Sequence, residues 1–485
     1  MRIQADVKLL KYRRTKIVAT LGPSSNDPET IEGLITAGVN VFRLNMSHGN
    51  HESHRQAYGR IRTAADRLGE PIAVMADLCG PKIRVGDFPG GSIDLAAGEP
   101  VTVTTREVAG GPGLIPSQYH ALNSDVGQGD RILLDDGNLE LRVETVSGTE
   151  IACRVIAGGV LSNHKGMNLP GVAVSTPSLT ETDRVDARFA LDLGVDFLAL
   201  SFVRQASDVV ELRELITSKG AEVGIVAKIE KPEALDNIES ILDAADAIMV
   251  ARGDLGVELP PQVVPAAQDQ LIDLARVYRK PVIVATQMLE SMITHARPTR
   301  AEVSDVATAV RSGADAVMLS AETASGQYPL EAVRMMNDVA RQTEGYLWRQ
   351  GAFGGLTRKQ EQAPPLSVEN ALSASMAQLS RDLRVRAIMV ISFLQGHSLA
   401  VMSASRPAAP IIGICPDHRT ARMAGLLWGV IPVTVHGDAM DNPHQMARST
   451  AVSLGMAEEG QSLLLVQGFS IEPKKNTPSV TVVTV

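Results

Sequence analysis

Aromatic side chains make up only 3% of the 485 residues, too few for the stacked rings that grip single-stranded nucleic acid. Lysine and arginine (46) are outnumbered by aspartate and glutamate (55). The net charge of −9 argues against general nucleic-acid binding, which wants a basic face. The three cysteines, Cys79, Cys153 and Cys415, lie far apart with no CxxC spacing. That excludes a disulfide framework and a cysteine zinc site, and suits free thiols in a reducing compartment. No apolar run approaches the ~18 residues of a membrane helix. The basic start (Lys8, Lys11, Arg13, Arg14, Lys16) lacks the apolar segment of a secretory signal. A GxGxxG dinucleotide fingerprint is missing too. The expectation is a cytoplasmic protein with neither membrane nor nucleic acid as partner.

What is present has a strong rhythm. From Lys16, short β-branched runs alternate with amphipathic stretches: "KIVATLG", "VNVFRLNMS", "PIAVMADL", "VDFLALSFV", "VGIVAKIE", "DAIMVARGD", "PVIVATQM" and "DAVMLSAET". Near-continuous apolar strands alternating with helices predict a parallel sheet covered on its outer face. Eight such units predict a closed (β/α)8 TIM barrel. Between Cys79 and Asn163 the helical period vanishes. Short alternating strands replace it, best seen in "RILLDDGNLELRV", a predicted hairpin turning at Asp135, Asp136, Gly137 and Asn138. An inserted β domain there would sit over the barrel mouth as a lid. After Gly345, "WRQGAFGGLTRKQEQAPP" reads as a linker, followed by a separate C-terminal α/β domain. The expected boundaries are 1–78 and 164–345 for the barrel, 79–163 for the lid and 346–485 for the last domain.

The predicted strands finish in ionisable or hydroxyl side chains: Arg43, Asn45 and Ser47, Asp77, Lys228 and Glu230, Asp254, Thr286, and Ser320 and Glu322. A single charge at a strand end is ordinarily a solvated loop residue. Repeated at strand after strand it marks the C-terminal face of a barrel, where catalytic groups sit. Glu230 and Asp254 offer hard oxygen ligands for Mg²⁺ or Mn²⁺, which prefer one or two carboxylates plus substrate oxygens. Lys228 is a fixed charge for a developing enolate or a phosphoryl group in transfer. Arg43 is a fork for phosphate oxygens. The set points to phosphoryl transfer or enolate chemistry on a small acidic substrate.

"TKIVATLGP", "VNVFRLNMSHG", "GPKIRVG", "KGMNLPG", "IVAKIEKPEAL", "MVARGDLGVELP", "PTRAEVSDVATAV" and "GADAVMLSAETASGQYP" resemble the pyruvate kinase family, in that family's order from about Thr15 to Pro329. The resemblance implies a barrel with a β lid, a C-terminal effector domain and a homotetramer. It implies transfer from phosphoenolpyruvate to ADP with Mg²⁺. Position by position, it makes Glu230 and Asp254 the metal ligands, Lys228 the stabiliser of transition state and enolate, and Arg43 the phosphate grip. Gly253, Asp254 and Thr286 would hold the substrate carboxylate. Thr286 and Ser320 are candidates for proton delivery, and Arg84, Lys165, Asn45 and His48 for nucleotide contacts.

Two departures carry expectations of their own. The family's K⁺ site falls on Asn45, Ser47, Asp77 and a neighbour, commonly Thr, that is here Leu78; "GPKIR" puts Lys82 where K⁺-dependent members carry Glu. An ammonium there would replace the cation, so the expectation is activity without K⁺. The effector loop reads "FLQGHS": Gly396, His397 and Ser398 keep a turn, a cation and a hydroxyl, while Phe393 and Gln395 replace hydroxyl residues. AMP or a sugar monophosphate is therefore expected over a bisphosphate. Two rivals, a metal-dependent aldolase or lyase and a non-catalytic sensor, are disfavoured by Arg84 and Lys165 and by the retained Lys228, Glu230 and Asp254.

Overall fold

The computed structural model describes residues 12–353, 365–392, 396–435, 442–470, 472 and 474–485. Eight parallel strands form the first part: β1 Lys16–Thr20, β2 Val41–Asn45, β3 Ala73–Asp77, β4 Phe197–Leu200, β5 Gly224–Ile229, β6 Ala247–Ala251, β7 Val282–Ala285 and β8 Ala316–Leu319. They close into a barrel, β8 pairing with β1. Helices on the outside bury the second face. Alternate strand residues divide between two cores because successive side chains point to opposite faces. Val18, Val41, Met75, Ala199, Val226, Met249, Ile283 and Met318 fill the interior. Their neighbours Ile17, Phe42, Val74, Leu198, Ile225, Ile248, Val282 and Val317 pack against the helices.

Strand entry follows a repeated device. The residue before each even-numbered strand is Asn40, Asp196, Asp246 or Asp315, in "GVN", "GVD", "AAD" and "GAD". Each side-chain oxygen accepts an amide of the preceding strand: Ile17 to Asn40 (3.1 Å), Val74 to Asp196 (2.8 Å), Ile225 to Asp246 (2.7 Å) and Val282 to Asp315 (3.1 Å). Each also holds an arginine: Arg13, Arg62, Arg213 and Arg406, respectively. Strand starts are thereby pinned pairwise, with the buried carboxylates fully partnered.

The lid strands, from Ser92–Leu95 to Met167–Asn168, form a two-stranded and a six-stranded sheet around their own core of Val85, Phe88, Ile115 and Leu141. The expected hairpin is present: Arg131–Leu134 pairs antiparallel with Leu139–Ser147. Asp135, Asp136 and Gly137 all take positive φ (51°, 54° and 85°), as a tight turn between twisted strands demands. The C-terminal domain carries a five-stranded sheet, four strands parallel and Ser479–Thr484 antiparallel at its edge. Among the described residues no helix is long and apolar enough to cross a membrane.

The C-terminal domain closes the barrel floor. Leu426 joins the interior core. Arg422 reaches Asp196 at 2.7 Å, and Arg406, 1% exposed, reaches Asp315 at 2.9 Å and Gly313 O at 2.8 Å. We expect Arg406→Met to lower unfolding stability by about 3–5 kcal/mol, because Asp315 then stays buried without its countercharge. Denaturant unfolding would measure this. Adding Asp315→Asn should recover part of the loss, and no loss in the single variant would refute a paired Asp315.

Candidate active site

The strand-end residues converge because they continue the inward series by steps of two. Val41 leads to Arg43 and Asn45, Met75 to Asp77, Ala199 to Ser201, Val226 to Lys228 and Glu230, and Met318 to Ser320. Together with Ser47, Leu78, Cys79, Lys82, Phe202, Asp254 and Thr286, these residues line a cavity of about 70 Å³ in the barrel mouth.

Lys228 is its centre. Its ammonium lies 2.8 Å from Glu230 Oε1 and 3.3 Å from Asp77 Oδ1, and donates to Ser201 Oγ at 2.7 Å. Ser201 Oγ in turn donates to Leu78 O at 2.7 Å. Arg43 Nε donates to the other Asp77 oxygen at 2.6 Å. Burial would lower the lysine pKa, but Asp77 and Glu230 outweigh it and hold the value above that of an ordinary lysine. Burial opposes ionisation of Asp77 as well; Lys228 and Arg43 reverse this and keep its carboxyl below the usual range. Glu230 goes the other way: burial raises it, Lys228 only partly offsets that, and Asp254 adds to the rise. A Glu230 pushed up by burial and a neighbouring carboxylate is electrostatically suited to a cation.

Among the described residues no three His, Cys, Asp or Glu side chains converge as a complete metal cage. The donor set nonetheless fits Mg²⁺, which dehydrates reluctantly and binds through one or two carboxylates plus substrate oxygens. Glu230 and Asp254 would supply those two.

Two strand ends are strained. Thr286 and Gln287 follow β7 with φ of 69° and 54°, and Phe202 follows β4 with φ of 54°. Such conformations cost non-glycine residues on the order of 1–3 kcal/mol each and cluster at functional sites. Here they aim donors and acceptors. Gly253 N donates to Thr286 Oγ1 at 2.7 Å, and Phe202 N to Glu230 Oε2 at 2.8 Å. Gly80 (φ 69°) sits so close under Phe202 that a Cβ would lie 2.7 Å from its ring, so glycine is required.

A larger cavity of about 320 Å³ lies between lid and barrel, lined by Lys82, Arg84, Lys165, Arg204 and Lys231 with Asp135, Asp136 and Asp254. Lys82, Phe202 and Asp254 line both cavities. Lys165 meets Asp135 at 2.7 Å, a hydrogen bond that raises the lysine and lowers the aspartate. Lys231, buried, holds Glu258 at 2.6 Å. Arg204 donates to Thr176 O at 3.0 Å and to Val174 O, tying the lid's return segment to the barrel.

Asn45 lines the smaller cavity only, and His48 is exposed and lines neither; its carbonyl accepts from His54 at 2.8 Å. Glu322 is buried and accepts from Ser320 N (2.7 Å) and Leu289 N (3.1 Å), bracing the mouth from behind. In the C-terminal domain, Gly396 (φ 84°) turns into the helix His397–Ala404, His397 meets Glu369 at 3.1 Å, and Ser398 is buried. Phe393 and Gln395 lie outside the described residues. Sequence reasoning missed Ser201, Phe202, Arg204 and Lys231, and saw in Arg252 only a charged strand end beside Asp254. The step-of-two rule applied to "ALSFVR" would have found Ser201.

A TIM barrel whose mouth gathers cations and carboxylates beneath an inserted lid defines an enzyme of small anionic substrates. Comparison with known proteins makes this particular. The family models "Pyruvate kinase, barrel domain" and "Pyruvate kinase, alpha/beta domain" match residues 12–333 and 370–483. Pyruvate kinase of Geobacillus stearothermophilus is 43% identical over 463 residues, covering 95% of this chain and 78% of that protein. Pyruvate kinase of Staphylococcus aureus is 44% identical over 462 residues, 94% and 78%. A solved pyruvate kinase from Cryptosporidium parvum superposes with a TM-score of 0.89 at 35% identity, covering 99% of both chains. The chain belongs to the pyruvate kinase family and is a phosphotransferase.

Ser201→Ala should lower kcat about tenfold with little change in thermal unfolding, since it removes one hydrogen bond to a charged group, worth roughly 1.5 kcal/mol. Steady-state kinetics would check it; unchanged kcat would leave Ser201 without a part in holding Lys228.

Proposed function

We propose that this enzyme transfers the phosphoryl group of phosphoenolpyruvate to ADP in the barrel mouth, with Mg²⁺ (Mn²⁺ as the alternative) and without K⁺, under control of a phosphorylated effector. The observation that carries the reading is the pair of adjoining cavities. One is lined by Arg43, Lys228, Glu230 and Asp254, the other by Arg84 and Lys165, and they share Asp254.

Arg43 grips the phosphoryl group. The amides of Gly253 and Asp254 and the hydroxyl of Thr286 hold the substrate carboxylate, which takes over the Gly253 amide that Thr286 Oγ1 now accepts. Arg84 and Lys165 contact the nucleotide; for Asn45, on the smaller cavity, and His48, on neither, that role rests on the family resemblance alone. Lys165 must exchange Asp135 for phosphate, a like-for-like replacement of one anion by another. Glu230 and Asp254 hold the metal, which when bound draws charge from the phosphoryl oxygens. As the bond from phosphorus to the enol oxygen breaks, one forms to a β-phosphate oxygen of ADP, and Lys228 stabilises the charge left on the enol oxygen. The enolate then takes a proton at its methylene carbon by way of the Thr286 and Ser320 hydroxyls, giving pyruvate.

Lys82 lines both cavities, and Asn45, Ser47, Asp77 and Leu78 line the smaller one with it. Its ammonium would repel a second cation by about 1 kcal/mol at 4 Å in water and more in a drier site. We expect ATP formation from phosphoenolpyruvate, ADP and Mg²⁺ in the absence of K⁺, and K⁺-dependent turnover in Lys82→Glu. Turnover in the parent only with K⁺ would discard the role of Lys82; none in either condition would discard the reaction.

Effector control rests on Gly396, His397 and Ser398, where the first amides of the helix His397–Ala404 can donate to a phosphate. AMP or a sugar monophosphate should lower half-saturation by phosphoenolpyruvate, and His397→Ala should abolish that shift. If neither compound moves it in the parent, the loop is not an effector site. A homotetramer and a cytoplasmic location complete the proposal, the first open to sedimentation.

A further inference from the structure

We propose that Arg252 is a positioning residue that fixes the left-handed bend at Thr286 and Gln287, and through it the carboxylate-binding corner of the site. This rests on the reading of Gly253, Asp254 and Thr286 as that corner. The bend is energetically unfavourable by itself: a β-branched residue with φ of 69° followed by glutamine at 54° persists only where the surroundings over-determine it.

The guanidinium of Arg252 supplies that determination. Its Nη2 donates to Thr286 O at 2.7 Å and, more distantly, to Gln287 O at 3.4 Å, and lies 2.9 Å from Met288 Sδ, while its Nε donates to Ala285 O at 3.4 Å. Three successive carbonyls and the sulfur after them are thus read by one planar fork, a task no lysine could perform with a single ammonium. The fork is itself fixed from the far side. Asp305, on the helix Arg300–Ser312, meets it at 2.7 Å, and Gln268 lies at 3.5 Å.

The second consequence is geometric. Arg252 opens the short helix Arg252–Glu258 that carries Gly253 and Asp254 off β6, while the carbonyls it holds lead off β7. One side chain therefore sets the spacing of two strand ends. That spacing shows in the 2.7 Å contact from Gly253 N to Thr286 Oγ1, whose hydroxyl donates to Ala285 O at 2.6 Å. Arg252 lines neither cavity, so it acts through these groups and not on substrate.

The test compares Arg252→Met, Arg252→Lys, Asp305→Asn and Thr286→Val in the full-length enzyme, by kcat, separate KM values for phosphoenolpyruvate and ADP, and thermal unfolding. Arg252→Met should lower kcat/KM for phosphoenolpyruvate about 100-fold, the scale of a misplacement of roughly 1 Å, with KM for ADP within about twofold. Arg252→Lys and Asp305→Asn should shift the same parameter less, and Thr286→Val should shift it in the same direction. A loss shared equally between both substrates, accompanied by a lowered unfolding temperature, overturns the proposal in favour of mere support of the fold. So does unchanged phosphoenolpyruvate kinetics in Arg252→Met while Thr286→Val is impaired. If Thr286→Val itself leaves those kinetics intact, the carboxylate reading falls and the positioning role with it. A crystal structure of Arg252→Met that keeps Thr286 left-handed would overturn it directly.

Discussion

The mouth of this barrel is organised around one ammonium. Lys228 sits between Asp77 and Glu230, and Arg43 sits on the far oxygen of Asp77. Asp77 and Glu230 are each about 1% exposed. Removing either cation would leave a buried carboxylate uncompensated, a penalty larger than the net worth of the pair. With Asp254 alongside, the set holds two cations against three carboxylates. A divalent metal on Glu230 and Asp254 would reverse the sign of that balance, which suits a substrate carrying both phosphate and carboxylate. The charges are thus conditional on one another, and the strand register that brings them together is the prior requirement.

That register is set at the opposite end of the strands. Asn40, Asp196, Asp246 and Asp315 each tie the start of one strand to the amide of its neighbour. A slip of one residue would turn Lys228 from the mouth toward the helices and bring Ile229 inward. The aspartates at the floor and the ion network at the mouth are therefore two ends of one constraint, with an apolar interior between them that admits only one alternation.

Much of this was legible in the sequence because it follows from local rules. The eight runs, the lid hairpin and the charged strand ends all have periods or turn chemistry that single segments reveal. What was not legible depends on distance in the chain. Ser201 escaped notice because it closes an apolar run and carries no charge. The positive φ of Phe202 and Thr286 has no signal in residue type; phenylalanine and threonine argue against it. Arg252 read as one more charged strand end, since nothing local says that its fork turns back to carbonyls 33 to 35 positions away. Arg406 and Arg422 look like surface residues of the last domain until the floor of the barrel is placed against them.

The placement of those two arginines has a mechanical consequence. Of the even-numbered strands, β6 is anchored through Arg213, which belongs to the barrel itself. β4 and β8 begin at Asp196 and Asp315, which hold Arg422 and Arg406 of the C-terminal domain, Asp196 in addition to Arg62 of the barrel. Both strands are four residues long, about 13 Å at 3.3 Å per residue. They lead into Ser201 and Phe202 and into Ser320, which line the cavity in the barrel mouth. A close-packed interior transmits displacement instead of absorbing it. A shift of the C-terminal domain against the floor therefore either breaks one of these ion pairs or moves the seats of the Ser201 and Ser320 hydroxyls, the first of which accepts from Lys228.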